Sequence, residues 1–235
     1  MNSLLKPKAF AGRWAALLLG VGTLLPVSAQ IPMATEPFNR INKTEVYGIG
    51  QYLHSSDITF NGPVGDVKMK MDDTGLGGFG VAYHFNDFVS VHGDFMFGGA
   101  TFSGDVPLEA GGTTHISQDA FLQTGRFNVD YNMINRRLTP FITAGLGYQY
   151  LETELQHAPP VTDCWWDPFW GWICYSGHQH AYQTDFTWNA GGGLRWNITD
   201  NLFIKVTGGA TWLEYGGARG ITTQLEGFFA IGGTF

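Results

Sequence analysis

The chain has 235 residues, of which 33 are glycine, 15% aromatic and only 14% charged, with a formal net charge of −7. Soluble domains carry roughly 25% charged residues and about 7% glycine, so this composition is not that of an ordinary soluble domain. The acidic balance excludes a nucleic-acid binder held by charge, and after the first thirty residues no apolar run is long enough for a membrane-spanning helix.

The chain opens on an export signal. Lys6, Lys8 and Arg13 form a positive segment, Ala15 to Leu25 an apolar one, and Val27-Ser28-Ala29 a small-residue cleavage site between Ala29 and Gln30. Residues 1–29 are therefore expected to be removed, which takes the formal charge from −7 to −10. A retained single-helix anchor would need a longer apolar run. Residues 30–43, QIPMATEPFNRINK, are aperiodic and read as a short tail.

From residue 44 onward the pattern has a period of two. A first strand covers about Glu45 to Leu53, with two faces too alike to orient, and a polar loop of about Ser55 to Thr74 follows. The second strand, about Gly75 to Phe85, sets Phe79, Val81 and Tyr83 against Gly78, Gly80, Ala82 and His84. A tight turn at Asn86-Asp87 leads to the third, Phe88 to Gly98, where Val91, Phe95 and Phe97 alternate with Ser90, His92 and Asp94. Gly99 to Ser117 reads as a long loop. The fourth strand, about Asp119 to Asn132, sets Phe121, Phe127, Val129 and Tyr131 against Arg126, Asn128 and Asp130, with Gln123 misplaced on the apolar side.

The fifth runs from about Leu138 to Leu151, and the longest loop covers about Glu152 to Tyr182. The sixth, about Thr184 to Asn197, opposes Phe186, Trp188 and Leu194 to Asn189, Arg195 and Asn197. The seventh, about Leu202 to Glu214, opposes Ile204, Val206 and Trp212 to Lys205 and Thr207. The eighth, Thr222 to Phe235, sets Leu225, Phe229, Ile231 and Phe235 against Gln224, Glu226 and Ala230. A last strand needs a partner for its open edge, and the first strand supplies one by closing a ring. The fold class is all-β: an eight-stranded antiparallel up-and-down barrel over residues 44–235.

Alternation alone does not say which face is oily, because a soluble barrel points its apolar face inward. Three features favour a transmembrane barrel. Connections alternate long and short; strands of roughly 10 to 14 residues match the 9 to 11 that cross hydrocarbon when tilted; and aromatics gather near strand ends, where two membrane interfaces would lie. The leader, the eight alternating strands, the FNDF and NITDNL turns and the terminal Phe235 together resemble the small outer-membrane β-barrel family, which includes opacity-like proteins and the transmembrane domain of outer membrane protein A. The resemblance implies a Gram-negative-type envelope, outer-membrane lipid as surroundings, and Phe235 as the signal read by the barrel assembly machinery. It is nearly silent on function. No peptidoglycan-binding domain is expected after Phe235.

The inward charges are Asp94, Arg126, Asp130, Arg195, Lys205 and Glu226, with His84 and His92. Asp94 with Arg126 and Lys205 with Glu226 lie on neighbouring strands and could pair. They read either as ion pairs filling a narrow lumen or as the gate of a thin pore. Ser90, His92 and Asp94 have the residue types of a hydrolytic triad, but alternate residues on a strand stand about 7 Å apart, too far for one. No catalytic residue, cofactor or metal is assigned. Cys164 and Cys174 bracket CWWDPFWGWIC in the longest loop, and an exported chain with an even cysteine count favours a disulfide; His178 and His180 leave a metal site conceivable. The cluster of Trp165, Trp166, Phe169, Trp170 and Trp172 is either a lid over the barrel mouth or a binding surface. The expected role is structural or interactive, through displayed loops on a monomer. A narrow pore or a conduit for hydrophobic molecules is the alternative, and an outer-membrane lipid acyl hydrolase the third.

Overall fold

The computed structural model describes residues 34–54, 56–62, 65–108, 111–154, 165–169, 171–173, 180–216 and 218–235. Among the described residues twelve strands run in chain order: β1 Thr44–Leu53, β2 Ser56–Gly62, β3 Gly65–Met71, β4 Thr74–His84, β5 Val89–Pro107, β6 Thr113–Asn132, β7 Leu138–Glu154, β8 Trp165–Asp167, β9 Gly171–Ile173, β10 His180–Asn197, β11 Leu202–Leu213 and β12 Thr222–Thr234. Eight of them form a closed antiparallel ring, β1-β4-β5-β6-β7-β10-β11-β12 and back to β1. The seam joins the ends of the chain, with Glu45 opposite Thr234 and Leu53 opposite Glu226, and Thr44 and Phe235 exchange both backbone hydrogen bonds at 3.0 and 2.8 Å. Closure leaves no unpaired edge in the ring.

The period-two pattern becomes two faces. Phe79, Val81, Phe127, Val129, Leu146, Phe186, Trp188, Leu194, Val206, Leu225 and Phe229 point outward and are exposed, while His84, Ser90, Thr124, Asn128, Asp130, Gln149, Arg195 and Glu226 are buried inside. The wall is oily outside, and much of its inner face is polar. Neighbours resolve the orientation of β1: Tyr47, Ile49, Gln51 and Leu53 face in, and Val46 and Tyr52 face out.

One end of the ring carries short turns, and side-chain oxygens build two of them. Asn86 Oδ1 accepts from the Phe88 and Val89 amides at 2.8 Å, and Thr199 Oγ1 from those of Asn201 and Leu202 at 3.2 and 3.0 Å. The other end carries the long connections, which hold more strand than the sequence suggests. The segment read as a polar loop at 55–74 is the hairpin β2–β3, whose β3 also pairs with β5. The glycine-rich stretch after Gly98 continues β5 and β6 in register as far as Pro107 opposite Thr113. The longest loop contains the small hairpin β8–β9. Interior alternation in these stretches is apolar rather than charged, and that is the core: Leu53, Ile58, Phe60, Met69, Met71, Met96, Phe102, Leu122, Leu151, Leu213 and Tyr215 fill the long-loop half of the ring.

Candidate functional site

The other half of the interior is polar, and its charges form three cross-lumen groups. Nearest the core, Arg126 of β6 reaches Glu226 of β12 with Nη1···Oε1 and Nη2···Oε2 both 2.8 Å. Gln51 Nε2 and Thr211 Oγ1 donate to the same carboxylate at 3.0 and 2.9 Å, and the Arg126 guanidinium lies over the Phe228 ring. In the middle, Lys205 Nζ donates to Asp130 Oδ2 at 2.6 Å and Asp130 Oδ1 meets His92 Nε2 at 3.0 Å. The opposite ring nitrogen, His92 Nδ1, stands 2.9 Å from Asp94 Oδ2. The Tyr47 hydroxyl donates to Asp94 Oδ1 at 2.7 Å and Asn128 Nδ2 to Asp94 Oδ2 at 3.2 Å. Nearest the short turns, both terminal nitrogens of Arg195 bond the Glu45 carboxylate, His84 Nε2 lies 2.8 Å from Glu45 Oε1, and the guanidinium covers the Phe203 ring.

A buried charge is tolerated only when paired and hydrogen-bonded: Arg126, Lys205 and Arg195 each meet a carboxylate, and Asp94 is held by Tyr47, Asn128 and His92. Between the upper two groups lies a cavity of about 40 Å³ lined by Tyr47, His92, Asn128, Asn189, Lys205 and Glu226 among others, room for about two or three waters.

Both ends of the lumen are covered. At the short-turn end the tail, residues 34–43, crosses the mouth from β7 to β1. Leu138 and Arg137 amides donate to the carbonyls of Ala34 and Glu36 at 3.0 and 2.9 Å, and the Asn42 amide donates to the His84 carbonyl at 3.0 Å. Asn42 takes a positive φ of 58°, a conformation asparagine tolerates, and so turns the tail up into β1. Arg40 is fully buried beneath the lumen, with its amide on Asp87 Oδ1 at 2.8 Å and Nη2 on the Arg136 carbonyl at 2.6 Å. Burial, then the neighbouring Arg195, pull the Arg40 guanidinium down to about 10. Phe38 is also buried, with Arg40, Lys43 and Arg137 around its ring.

At the long-loop end Phe169 packs edge-on against Phe60, Phe102 and Tyr215, with ring centroids at 4.8, 5.6 and 5.8 Å. The buried Asp167 holds this loop, accepting from Gln118 Nε2 at 2.8 Å and from the Phe169 amide at 2.9 Å. Tyr215, whose phenol burial raises above its ordinary pKa, accepts from Gln149 and Gln224 amides at 2.8 and 2.9 Å.

All six predicted lumen charges face inward, but the partners differ from those expected. Asp94 and Arg126 are register neighbours, yet the long guanidinium crosses the lumen to Glu226, and Asp94 is met by Tyr47, His92 and Asn128 instead. Lys205 takes Asp130 rather than Glu226. The acidic partner of Arg195, Glu45, escaped the sequence reading because β1 could not be oriented, and nothing in the aperiodic tail pointed to Arg40. Of the aromatic cluster, Trp166 and Phe169 pack against the core and Trp172 is 45% exposed. The side chains of Trp165, Trp170 and His180, with Cys164, Cys174 and His178, lie outside the described residues, as does the cleavage site at Ala29 and Gln30. Among the described residues no group of three or more His, Cys, Asp or Glu could hold a metal.

Residues 18–226 match the model of the outer membrane protein beta-barrel domain family. The chain belongs to this family. It is accordingly a protein of the cell outer membrane, its oily wall faces lipid, and the short-turn and long-loop ends are periplasmic and extracellular. Its structure is similar to the N-terminal β-barrel domain of OprF from Pseudomonas aeruginosa (14% identity, TM-score 0.43, covering 83% of this chain and 98% of that one). It is also similar to OprG from the same organism (13%, 0.44, 84% and 98%) and to the outer membrane protease OmpT from Escherichia coli (8%, 0.47, 85% and 98%). The comparison with curated proteins finds no match.

Proposed function

We propose that the protein is a closed, non-enzymatic, monomeric barrel that stabilises the outer membrane and displays its extracellular strands and loops to a surface partner. The observation that carries this reading is the double cover: a tail pinned across the periplasmic mouth and an aromatic lid over the extracellular core, with cross-lumen ion pairs between them. β5 and β6 have 19 and 20 residues, about twice what the hydrocarbon requires, so the hairpin they form stands well clear of the bilayer. Export with removal of residues 1–29, and delivery by the barrel assembly machinery through Phe235, belong to the same reading.

The test is conductance of the purified mature chain in a planar bilayer. No unitary steps are expected, and steps that change in Glu226→Gln would replace this reading with the narrow pore. A pore would have to part Arg126 from Glu226 and Arg195 from Glu45 and also displace the tail. Acyl hydrolysis is disfavoured because both ring nitrogens of His92 already face carboxylates and Ser90 is buried, so the Ser90→Ala variant should match the parent in any acyl-release assay.

A further inference from the structure

The lipid-facing wall has a hollow of about 400 Å³ on β4 to β7. Two adjacent cross-strand rows form it, each interrupted by one glycine. In one, Val81 is opposite Gly93, Gly93 opposite Phe127, and Phe127 opposite Leu146; in the other, Phe79 is opposite Phe95, Phe95 opposite Gly125, and Gly125 opposite Tyr148. The two glycines are treated differently. Tyr148 lies across Gly125, where an added Cβ would strike its ring. Over Gly93 the space is open, since a Cβ there would meet only the Arg126 carbonyl oxygen, at 3.8 Å. The result is a seat floored by Gly93 and walled by Phe79, Val81, Phe95 and Phe127.

The upper rim is polar. Gln123, the residue that breaks the apolar alternation of β6, turns outward and donates through Nε2 to the Tyr148 hydroxyl at 3.1 Å. Gln123 lies nine residues above Asn132 at the periplasmic end of β6. With about 3.3 Å of rise per residue and a tilt near 40°, that is about 23 Å up a band about 25 Å tall, at the level of the outer-leaflet head groups.

We propose that this hollow is a seat for one acyl chain of an outer-leaflet glycolipid, with Gln123 and the Tyr148 phenol receiving its hydroxyls. The occupant follows from position and chemistry. The seat opens into hydrocarbon, and its polar rim holds two uncharged groups suited to hydroxyls. A glycolipid with hydroxylated acyl chains and sugars presents hydroxyls at that depth, and phosphatidylethanolamine presents esters without them. The inference rests on the outer-membrane location and not on the closed lumen.

The test is native mass spectrometry of the mature chain extracted from outer membranes in mild detergent, titrated with hexa-acylated lipid A and separately with dioleoylphosphatidylethanolamine. The parent is expected to retain one lipid A through collisional activation that strips the phospholipid. Gly93→Leu fills the seat and should lower lipid A retention at least fivefold, Gly93→Ala less so. Gly208→Leu, on the lipid face of β11 with no heavy atom within 4 Å of the added Cβ, should match the parent. Gel migration of unboiled samples identifies the folded variants; were Gly93→Leu unfolded, Gly93→Ala and Phe127→Ala would decide by the same loss. Undiminished lipid A retention in the folded Gly93 variants would overturn the proposal. So would equal retention of the phospholipid, which makes the seat indifferent to hydroxyls, or a dimer lost in Gly93→Leu, which makes the occupant a second copy.

Discussion

Arg126 and Glu226, one hundred positions apart, face each other across the lumen in a two-pronged pair, both N···O distances 2.8 Å and both side chains 2% exposed. Removing one partner strands the other in a medium that cannot solvate it. Glu226→Ala should therefore lower unfolding stability in vesicles by about 3–5 kcal/mol, whereas Arg126→Met combined with Glu226→Leu should recover most of that loss. Urea titration followed by tryptophan fluorescence measures both, and a double variant no better than the single one would refute the account.

Gly80 makes room for the second group. A Cβ there would lie 2.6 Å from Tyr47 Cζ and 2.5 Å from Asp94 Oδ1, so Gly80→Ala should push the Tyr47 phenol off Asp94. The loss of a buried hydrogen bond costs about 1–3 kcal/mol, and Tyr47→Phe removes the same bond. The two substitutions together should cost clearly less than their sum; strict additivity would show that Gly80 acts elsewhere.

The extracellular lid hangs on Asp167. Asp167→Ala removes the acceptor for Gln118 and for the Phe169 amide, and should speed proteolytic nicking within residues 152–182 at least severalfold while the barrel stays folded on an unboiled gel. Cys164→Ser should do the same if the loop is closed by the expected disulfide. Cleavage at the parental rate in Cys164→Ser would count against that bond.

If Phe235 is the assembly signal proposed above, its replacement should affect assembly and not stability. Its side chain is 77% exposed and its structural contribution is the backbone pairing with Thr44. Phe235→Ala should thus leave the unfolding midpoint of refolded protein within about 0.5 kcal/mol of the parent but reduce the folded fraction in outer membranes. A matching drop in both would make the ring a packing element and not an assembly signal.

Much of the ring was legible from alternation, because a wall with lipid on one side and a cramped lumen on the other imposes opposite chemistry on successive residues. Val91, Phe127 and Ile204 against His92, Asn128 and Lys205 leave little choice of face. The pattern failed where the environment changed. Above the membrane the interior turns apolar, so Ile58, Phe60, Val67 and Met69 carry no polar inner face to mark them as wall strands, and β2–β3 looks like loop in the sequence. β1 was ambiguous for a related reason: Ile49 and Leu53 are as oily inside as Val46 is outside. Partner choice in the lumen was out of reach, since neighbours in register are fixed by the ladder but a long side chain such as Arg126 can cross to the far wall. The tail had no periodicity to read, because its order comes from the barrel mouth it crosses.

The β1–β12 seam also sets a timetable. Glu45 finds its partner on β12, Thr234, only after 189 further residues have been made, so one edge of the first strand, whose other edge pairs with β4, must wait for the last. Contacts of such sequence separation form slowly, and until then an oily strand edge stands open to aggregation. The tail, held at Arg137 and Leu138 on one side and running into β1 on the other, finds its full set of partners only once the circle is complete.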